Sequence, residues 1–213
     1  MIFTDLIARH YSSEVNEIPN EKITYEKFWS DPKYEKVPYD RGAIFAFFLD
    51  QKIIGESKGL YSLDDVMRKL LENSHRKVDH QYFVNTVNKY CKQSIQSYFI
   101  DFIENGKLIP LKSLFKSNDL NFSDSIEVRD IGFSYDSNLK VTAVNPKSNA
   151  FKAGLKVGDL IIKSDTDYKP GTLVRYSVKR KKEVLALEFY SNIKKLNIPQ
   201  LTNDEKNLKR LSF

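Results

Sequence analysis

The side chains best suited to hold a metal or attack a substrate are His10, His75, His80 and Cys91, the only histidines and cysteine of the sequence. A helical zinc centre needs two histidines at i and i+4 with a glutamate between them, so that both imidazoles leave one helix face and the carboxylate serves as base. No His-Glu-x-x-His is present. His75 and His80 stand five residues apart, roughly 140° around an ideal helix against roughly 40° for an i,i+4 pair, so they cannot substitute for that motif. They read as surface residues flanking Asp79, which can cap a helix. Cys91 falls in an apolar helical pattern and reads as a small buried hydrophobe; as the single cysteine it forms no internal disulfide and no Cys-x-x-Cys site. A Ser-His-Asp arrangement, a phosphate loop and a calcium loop are all missing from the sequence. The expectation is no metal site and no cofactor of its own.

Lys179-Arg180-Lys181-Lys182 is the one basic run. Residues 1–118 carry 17 cations against 16 anions, residues 119–192 carry 12 against 10, and residues 193–213 carry 5 against 2. The net charge of +6 is therefore spread thinly, and four cations at a hairpin tip predict at most weak, nonspecific nucleic-acid binding. With 213 residues, 41% of them hydrophobic and 29% charged, the composition is globular and large enough for two cores. No stretch approaches the roughly 18 apolar residues of a membrane span, and Met1 to Asp5 lacks a basic, apolar leader, so the expected location is cytoplasmic.

The first half reads as helices. Residues 39–54 are apolar nearly all round, from Ala43 through Leu49 to Ile54, as in a central buried helix. Ser62 with Asp65 forms a capping box ahead of Leu63, Val66, Met67, Leu70 and Leu71. Asp79 can start a third helix carrying Phe83, Val84, Val87, Tyr90 and Cys91 inward, and Ser94 a fourth that Gly106 stops. Beyond about residue 118 the period becomes two, with strands at Leu139–Val144, Asp159–Ile162, Leu173–Val178 and Val184–Phe189. Helix resumes where Thr202 can cap Asn203 to Leu211. The expected fold class is α+β: a helical subdomain over 1–118, a small β-domain over 119–192 and a helical tail over 193–213.

Most of residues 126–190 resembles a PDZ domain, through Ser148-Asn149-Ala150-Phe151-Lys152-Ala153-Gly154-Leu155-Lys156-Val157-Gly158-Asp159-Leu160-Ile161. The resemblance implies a β-sandwich or barrel in which a peptide C-terminus adds to a sheet edge and backbone N–H groups of a Gly-Φ-Gly-Φ loop hold its carboxylate. That loop is Asp130-Ile131-Gly132-Phe133 here, which makes Ile131, Gly132 and Phe133 the candidate peptide-binding residues. Asp130 replaces the first glycine and sets a negative charge where the carboxylate should sit. Only Ser164 to Lys169 precede Pro170-Gly171, too few for the family's groove-lining second helix, so the implied domain is shortened and its strand edge needs a cover. The tail from Ile193 to Phe213 or the helical half could supply it.

The first half, residues 1–118, resembles the late part of the catalytic domain of PDZ-containing glycyl aminopeptidases, zinc peptidases with a thermolysin-like core. The carrying residues are Phe28-Trp29, Val37-Pro38-Tyr39-Asp40-Arg41-Gly42-Ala43, the apolar helix through Asp50, and Ser62 to Met67. Val-Pro-Tyr-x-Arg-Gly is also similar to leukotriene-hydrolase-like aminopeptidases, in which the tyrosine donates to the tetrahedral intermediate; Tyr39 is its counterpart, a neutral donor for a developing oxyanion. Because the zinc motif is missing, the resemblance implies a chain inert by itself. Three readings follow from it: a scaffold or protein-interaction module, one half of a split zinc aminopeptidase whose partner chain brings the metal, or a fragment. In the split case the helix Ala43–Leu49 is expected to be exposed and to mediate pairing or self-association.

Overall fold

The computed structural model describes residues 2–73, 77–164 and 169–207. The fold is α+β, helices followed by antiparallel sheets that stay open, with no closed barrel among the described residues. Two compact units divide the chain, one from Met1 to Asp124 that takes up the chain again at Ile198, the other Ser125–Asn197.

The helical unit is organised by α3, after α1 (Ile2–Ser12) and α2 (Tyr25–Ser30). Helix α3 spans Pro32–Ser57, not residues 39–54. Asp31 caps it, its carboxylate accepting from Lys33 N at 2.9 Å, and Pro32 stands in the first turn where its absent N–H costs nothing. Pro38 lies inside the helix and merely forgoes one ladder bond. The helix ends at Lys58 in the left-handed conformation, φ 56°, with Gly59 N bonded to Ile54 O at 2.8 Å.

The Ala43–Leu49 stretch is not an exposed patch, because Ile44, Phe45 and Leu49 are at most 4% exposed. They are covered from within the unit. Phe47 meets Phe3 of α1 at 4.7 Å, and Phe45 and Phe48 meet Phe99 and Phe102, which lie on α6 (Gln96–Phe99) and the π-helical turn Ile100–Glu104 behind it. Aromatic faces at these spacings pack edge to face and bury the stripe.

Helix α4 (Leu63–Glu72) starts at the expected capping box, Ser62 N donating to Asp65 Oδ2 at 2.9 Å. Val66 and Leu70 are buried, whereas Met67 and Leu71 face out. Asp79 caps α5 (His80–Val87), accepting from Tyr82 N at 2.8 Å. The helix stops before Tyr90 and Cys91, which lie within the loop that Asn88 Oδ1 closes by accepting from Ile95 N. Cys91 is therefore half-buried outside a helix, its thiol pushed up to about 11 by burial. Helix α7 (Leu111–Ser117) leads to β1 (Phe122–Ser123), which pairs with β9 (Gln200–Leu201).

In the second unit β2 (Ile126–Asp130) pairs with β8 (Asn192–Leu196), β3 (Phe133–Tyr135) with β4 (Val141–Val144), and β5 (Leu160–Ser164), β6 (Leu173–Arg180) and β7 (Glu183–Tyr190) form one sheet. Ser148 caps α8 (Asn149–Lys152), whose Ala150 joins Phe133, Val141, Leu155, Ile161, Val174, Tyr176, Val178 and Phe189 in the core. Ile193 to Leu196, expected to open a helical tail, are instead strand and cover β2: Val128 pairs with Lys194 and Ile126 with Leu196. Asp204 rather than Thr202 accepts from Asn207 N, at 3.0 Å, at the turn over 205–207; the rest of the expected tail helix lies outside the described residues.

Candidate functional site

Helical geometry divides the Val-Pro-Tyr-Asp-Arg-Gly segment between two environments. Val37, Asp40 and Arg41 are 2–4% exposed, while Tyr39 is 65% exposed on the opposite face of α3. Asp40 receives a two-point ion pair from Arg9 of α1, Nε to Oδ2 at 2.7 Å and Nη2 to Oδ1 at 2.5 Å, the fork geometry that suits guanidinium to carboxylate. Arg41 has no carboxylate partner among the described residues. Its guanidinium donates to the carbonyls of Ile18 at 2.7 Å, Asn16 at 3.0 Å and Ile103 at 3.3 Å, tying the segment before α2 and the π-helical turn to α3. Gly106, φ 73°, makes room for this staple: a Cβ there would stand 2.5 Å from Ile18 O and 2.7 Å from Arg41 Nη2.

Tyr39 lies at the end of a chain of aromatic rings. Its ring is 6.2 Å from Phe28, which meets Trp29 at 5.0 Å, and Trp29 meets Tyr25 at 6.1 Å. Tyr25 and Trp29 are 76% and 69% exposed, so the four rings form one solvent-facing cluster with the phenol at its end.

The histidines do not gather around it. His10 is buried on α1 beside Arg41, and burial first, the Arg41 charge second, pushes its pKa down to about 4. His80 begins α5 and stacks on Phe99 at 5.8 Å. His75 lies outside the described residues. No three histidine, cysteine or carboxylate side chains converge among the described residues, so the donor set for a hydrolytic zinc is missing from this part of the chain.

In the β-domain, Gly132 N donates to Asp130 Oδ1 at 2.8 Å. The loop amide that a PDZ-type carboxylate would engage is thus held by the chain's own carboxylate, two residues back, in the Asx geometry that aspartate favours. Gly132 is left-handed, φ 76°, and a Cβ on it would lie 2.3 Å from Ser148 Cβ. Phe133 points into the core, 9% exposed with its ring 5.3 Å from Tyr176, and Ile131 packs against the same core. The loop borders an open depression of about 340 Å³ with Ala143, Val144 and Asn145. Between Ser164, the last residue of β5, and Leu173, the first of β6, the described residues form a turn at Lys169 to Thr172, Thr172 Oγ1 donating to Lys169 O at 2.8 Å.

The basic run also divides. Arg180 turns back from the hairpin and donates through Nε and Nη2, each at 2.7 Å, to Asp159, and through Nη2 to Gly154 O. The Asp159 side chain is 1% exposed, and the Arg180 bonds hold its carboxyl below the usual carboxylate range. Only Lys179, Lys181 and Lys182 remain as exposed cations of the run. Its place in a run of four cations at a hairpin tip does not single out this arginine; alternation along β6, which puts Arg180 with the inward residues Val174, Tyr176 and Val178, is the signal that does.

No protein-family model matches this sequence, and no curated protein matches it. Among solved structures the chain is similar to an aminopeptidase N family protein from Idiomarina loihiensis, with 17% identity over 99% of this chain and 44% of that one and a TM-score of 0.52. The chain thus has the fold of part of that protein and spans under half its length. A serine endoprotease from Yersinia pestis overlaps 39% of this chain and 34% of its own at 19% identity, with a TM-score of 0.30.

Proposed function

We propose that this chain is a peptidase-like module without catalysis of its own, of the glycyl-aminopeptidase type, that works by binding protein. The observation that carries this reading is the division of the Val-Pro-Tyr-Asp-Arg-Gly segment: Asp40 and Arg41 are consumed in holding helices together, while Tyr39 presents a phenol to solvent with no converging donor set among the described residues. The fold shared with an aminopeptidase N family protein supports the same origin. In the β-domain the self-bonded loop amide argues for a docking role over capture of free peptide C-termini. Purified chain should retain no stoichiometric zinc after dialysis and release no product from glycyl or alanyl amides. One tightly held zinc per chain, lost in His10→Ala or His80→Ala, overturns the reading.

A second reading is favoured by the exposed aromatic cluster Tyr25, Phe28, Trp29 and Tyr39, which is the kind of surface a partner covers. In it a partner chain carrying the zinc docks there and Tyr39 supplies the oxyanion donor. Tyr39→Phe then leaves assembly intact and lowers kcat, since it removes one donor and little volume. A Tyr39→Phe complex of full activity sinks it.

A further inference from the structure

Strand β7 is the outer strand of the sheet β5-β6-β7, and no described strand pairs with its far side. Its ladder with β6 closes on Arg180 and Glu183 across the two-residue turn Lys181-Lys182, Lys181 being left-handed at φ 55°. In such a hairpin the closing pair exchanges both ladder bonds and the pattern alternates. Glu183, Leu185, Leu187 and Phe189 therefore bond to β6, and the main-chain groups of Val184, Ala186 and Glu188 face the open edge. The next out-pointing carbonyl, Tyr190 O, is already taken by Asn149 Nδ2 at 2.8 Å. Val184 is 63% exposed, and Leu185 and Leu187 are only half-buried at the rim of the core. An open edge with this apolar run and no proline is a template for strand pairing.

We propose that β7 pairs antiparallel with β7 of a second copy of this chain, about a two-fold axis at Ala186. The occupant follows from self-complementarity. With the axis there, Ala186 faces Ala186, Val184 faces Glu188, and Leu185 faces Leu187 of the second copy. Out-pointing residues meet out-pointing residues, as the antiparallel ladder requires, and the half-buried leucines of both copies become neighbours on the core face. On the solvent face Lys182 lies diagonal to Glu188 of the second copy. Lys182 has no ion pair among the described residues, and Glu188 holds Arg175 at 2.9 Å with acceptor capacity to spare. The neighbouring registers are worse, because only the axis at Ala186 pairs Val184, Ala186 and Glu188 all with one another: an axis at Leu185 leaves Glu188 opposite the turn residue Lys182, one at Leu187 sets Val184 opposite Tyr190, whose carbonyl is already bonded, one at Glu188 sets two glutamates directly opposite, and one at Val184 runs the strands into the Lys181-Lys182 turn. This inference does not rest on the peptidase reading.

The full chain should show a concentration-dependent monomer–dimer equilibrium in sedimentation and light scattering. Ala186→Pro removes an N–H that faces the open edge and leaves the β6 ladder whole; it should weaken association about tenfold or more with little change in melting temperature. Val184→Lys should do the same by charging the edge, and Lys182→Glu should weaken the dimer by setting two acids together. In a Cys91→Ser background, Ala186→Cys should form an interchain disulfide on mild oxidation and Val184→Cys should not. A chain that stays monomeric at every concentration, or a dimer indifferent to both Ala186→Pro and Val184→Lys, overturns the proposal, as does cross-linking at 184 in preference to 186.

Discussion

Acid should loosen the helical unit through His10. Folded, this imidazole is 5% exposed and has its pKa pushed down to about 4; unfolded, it returns to its ordinary 6.5. The unfolded chain then binds a proton that the folded chain refuses. Stability from this residue is complete above 6.5 and is lost as pH falls from there toward 4. At about 1.4 kcal/mol per unit of separation, the loss is about 2 kcal/mol by pH 5 and about 3 kcal/mol below pH 4. For a chain of this size, 2 kcal/mol lowers Tm by about 4–8 °C. Asp50 works in the opposite direction, since burial raises its carboxyl, and Asp159 enters only in more acid solution. The assay is urea unfolding at pH 7, 6 and 5 for wild type and His10→Phe, which keeps a ring against Tyr11, now 5.7 Å away edge-on, and removes the titration. Wild type should lose stability steeply across this range, and the variant should be nearly flat. Equal slopes in the two proteins would refute the placement of His10 as a buried neutral ring. The same experiment bears on function, because a histidine that ligated zinc would let added zinc raise Tm at pH 7 by mass action, and no such rise is expected.

Arg180→Met should cost about 3–5 kcal/mol, because it strands the buried Asp159 carboxylate; since Asp159 is held below its usual range, that contribution is present above its unfolded pKa and is lost as pH falls through the folded one, so the gap between wild type and variant narrows in acid melts. Asp50→Asn should leave stability at pH 7 equal or higher, since asparagine can still accept from Leu63 N at the 2.9 Å position without a buried charge; a loss above about 1 kcal/mol would refute the desolvation argument. Gly132→Ala should destabilise the β-domain clearly, because the added Cβ meets Ser148 Cβ and the backbone is left-handed, and thermal melts of Gly132→Ala against Asp130→Ala separate that backbone cost from loss of the single loop hydrogen bond.

Local signals were read well where one residue pair decides the structure. The Ser62/Asp65 box, the Asp79 cap and the Ser148–Ile162 stretch all form as their side-chain chemistry dictates. Errors arose where tertiary partners decide. Pro38 suggested a helix beginning after it, yet Asp31 and Pro32 start α3 earlier and one missing ladder bond is tolerated. Ile193-Lys194-Lys195-Leu196 carries no strong strand signal by itself and becomes strand because β2 offers it an edge. The apolar pattern of residues 43–49 rightly reads as a buried helix, and the exposure expected of them in the split-enzyme case is not found because phenylalanines from α1 and from residues 99–102, distant in sequence, cover them. Asp130 departs from the loop pattern not only by its charge: its short side chain also accepts from the Gly132 amide two residues on, a local bond that the charge alone does not suggest.

The segment around Tyr39 separates residues that folding itself needs from one that it does not. Arg41 fastens three carbonyls, and removing it leaves backbone groups unsatisfied, a cost of several kcal/mol that falls on folding and not on catalysis; Asp40 fastens α1 through the half-exposed Arg9. Val37 is core. These residues are needed whether or not a peptide is ever cleaved, so their presence carries no weight for enzyme activity. Tyr39 is different. Apart from a tilted contact with Phe28 it is solvent-facing, and folding places no comparable demand on its hydroxyl. The phenol is thus the one member of the segment whose effect on a partner, and not on stability, separates a scaffold from half of an enzyme.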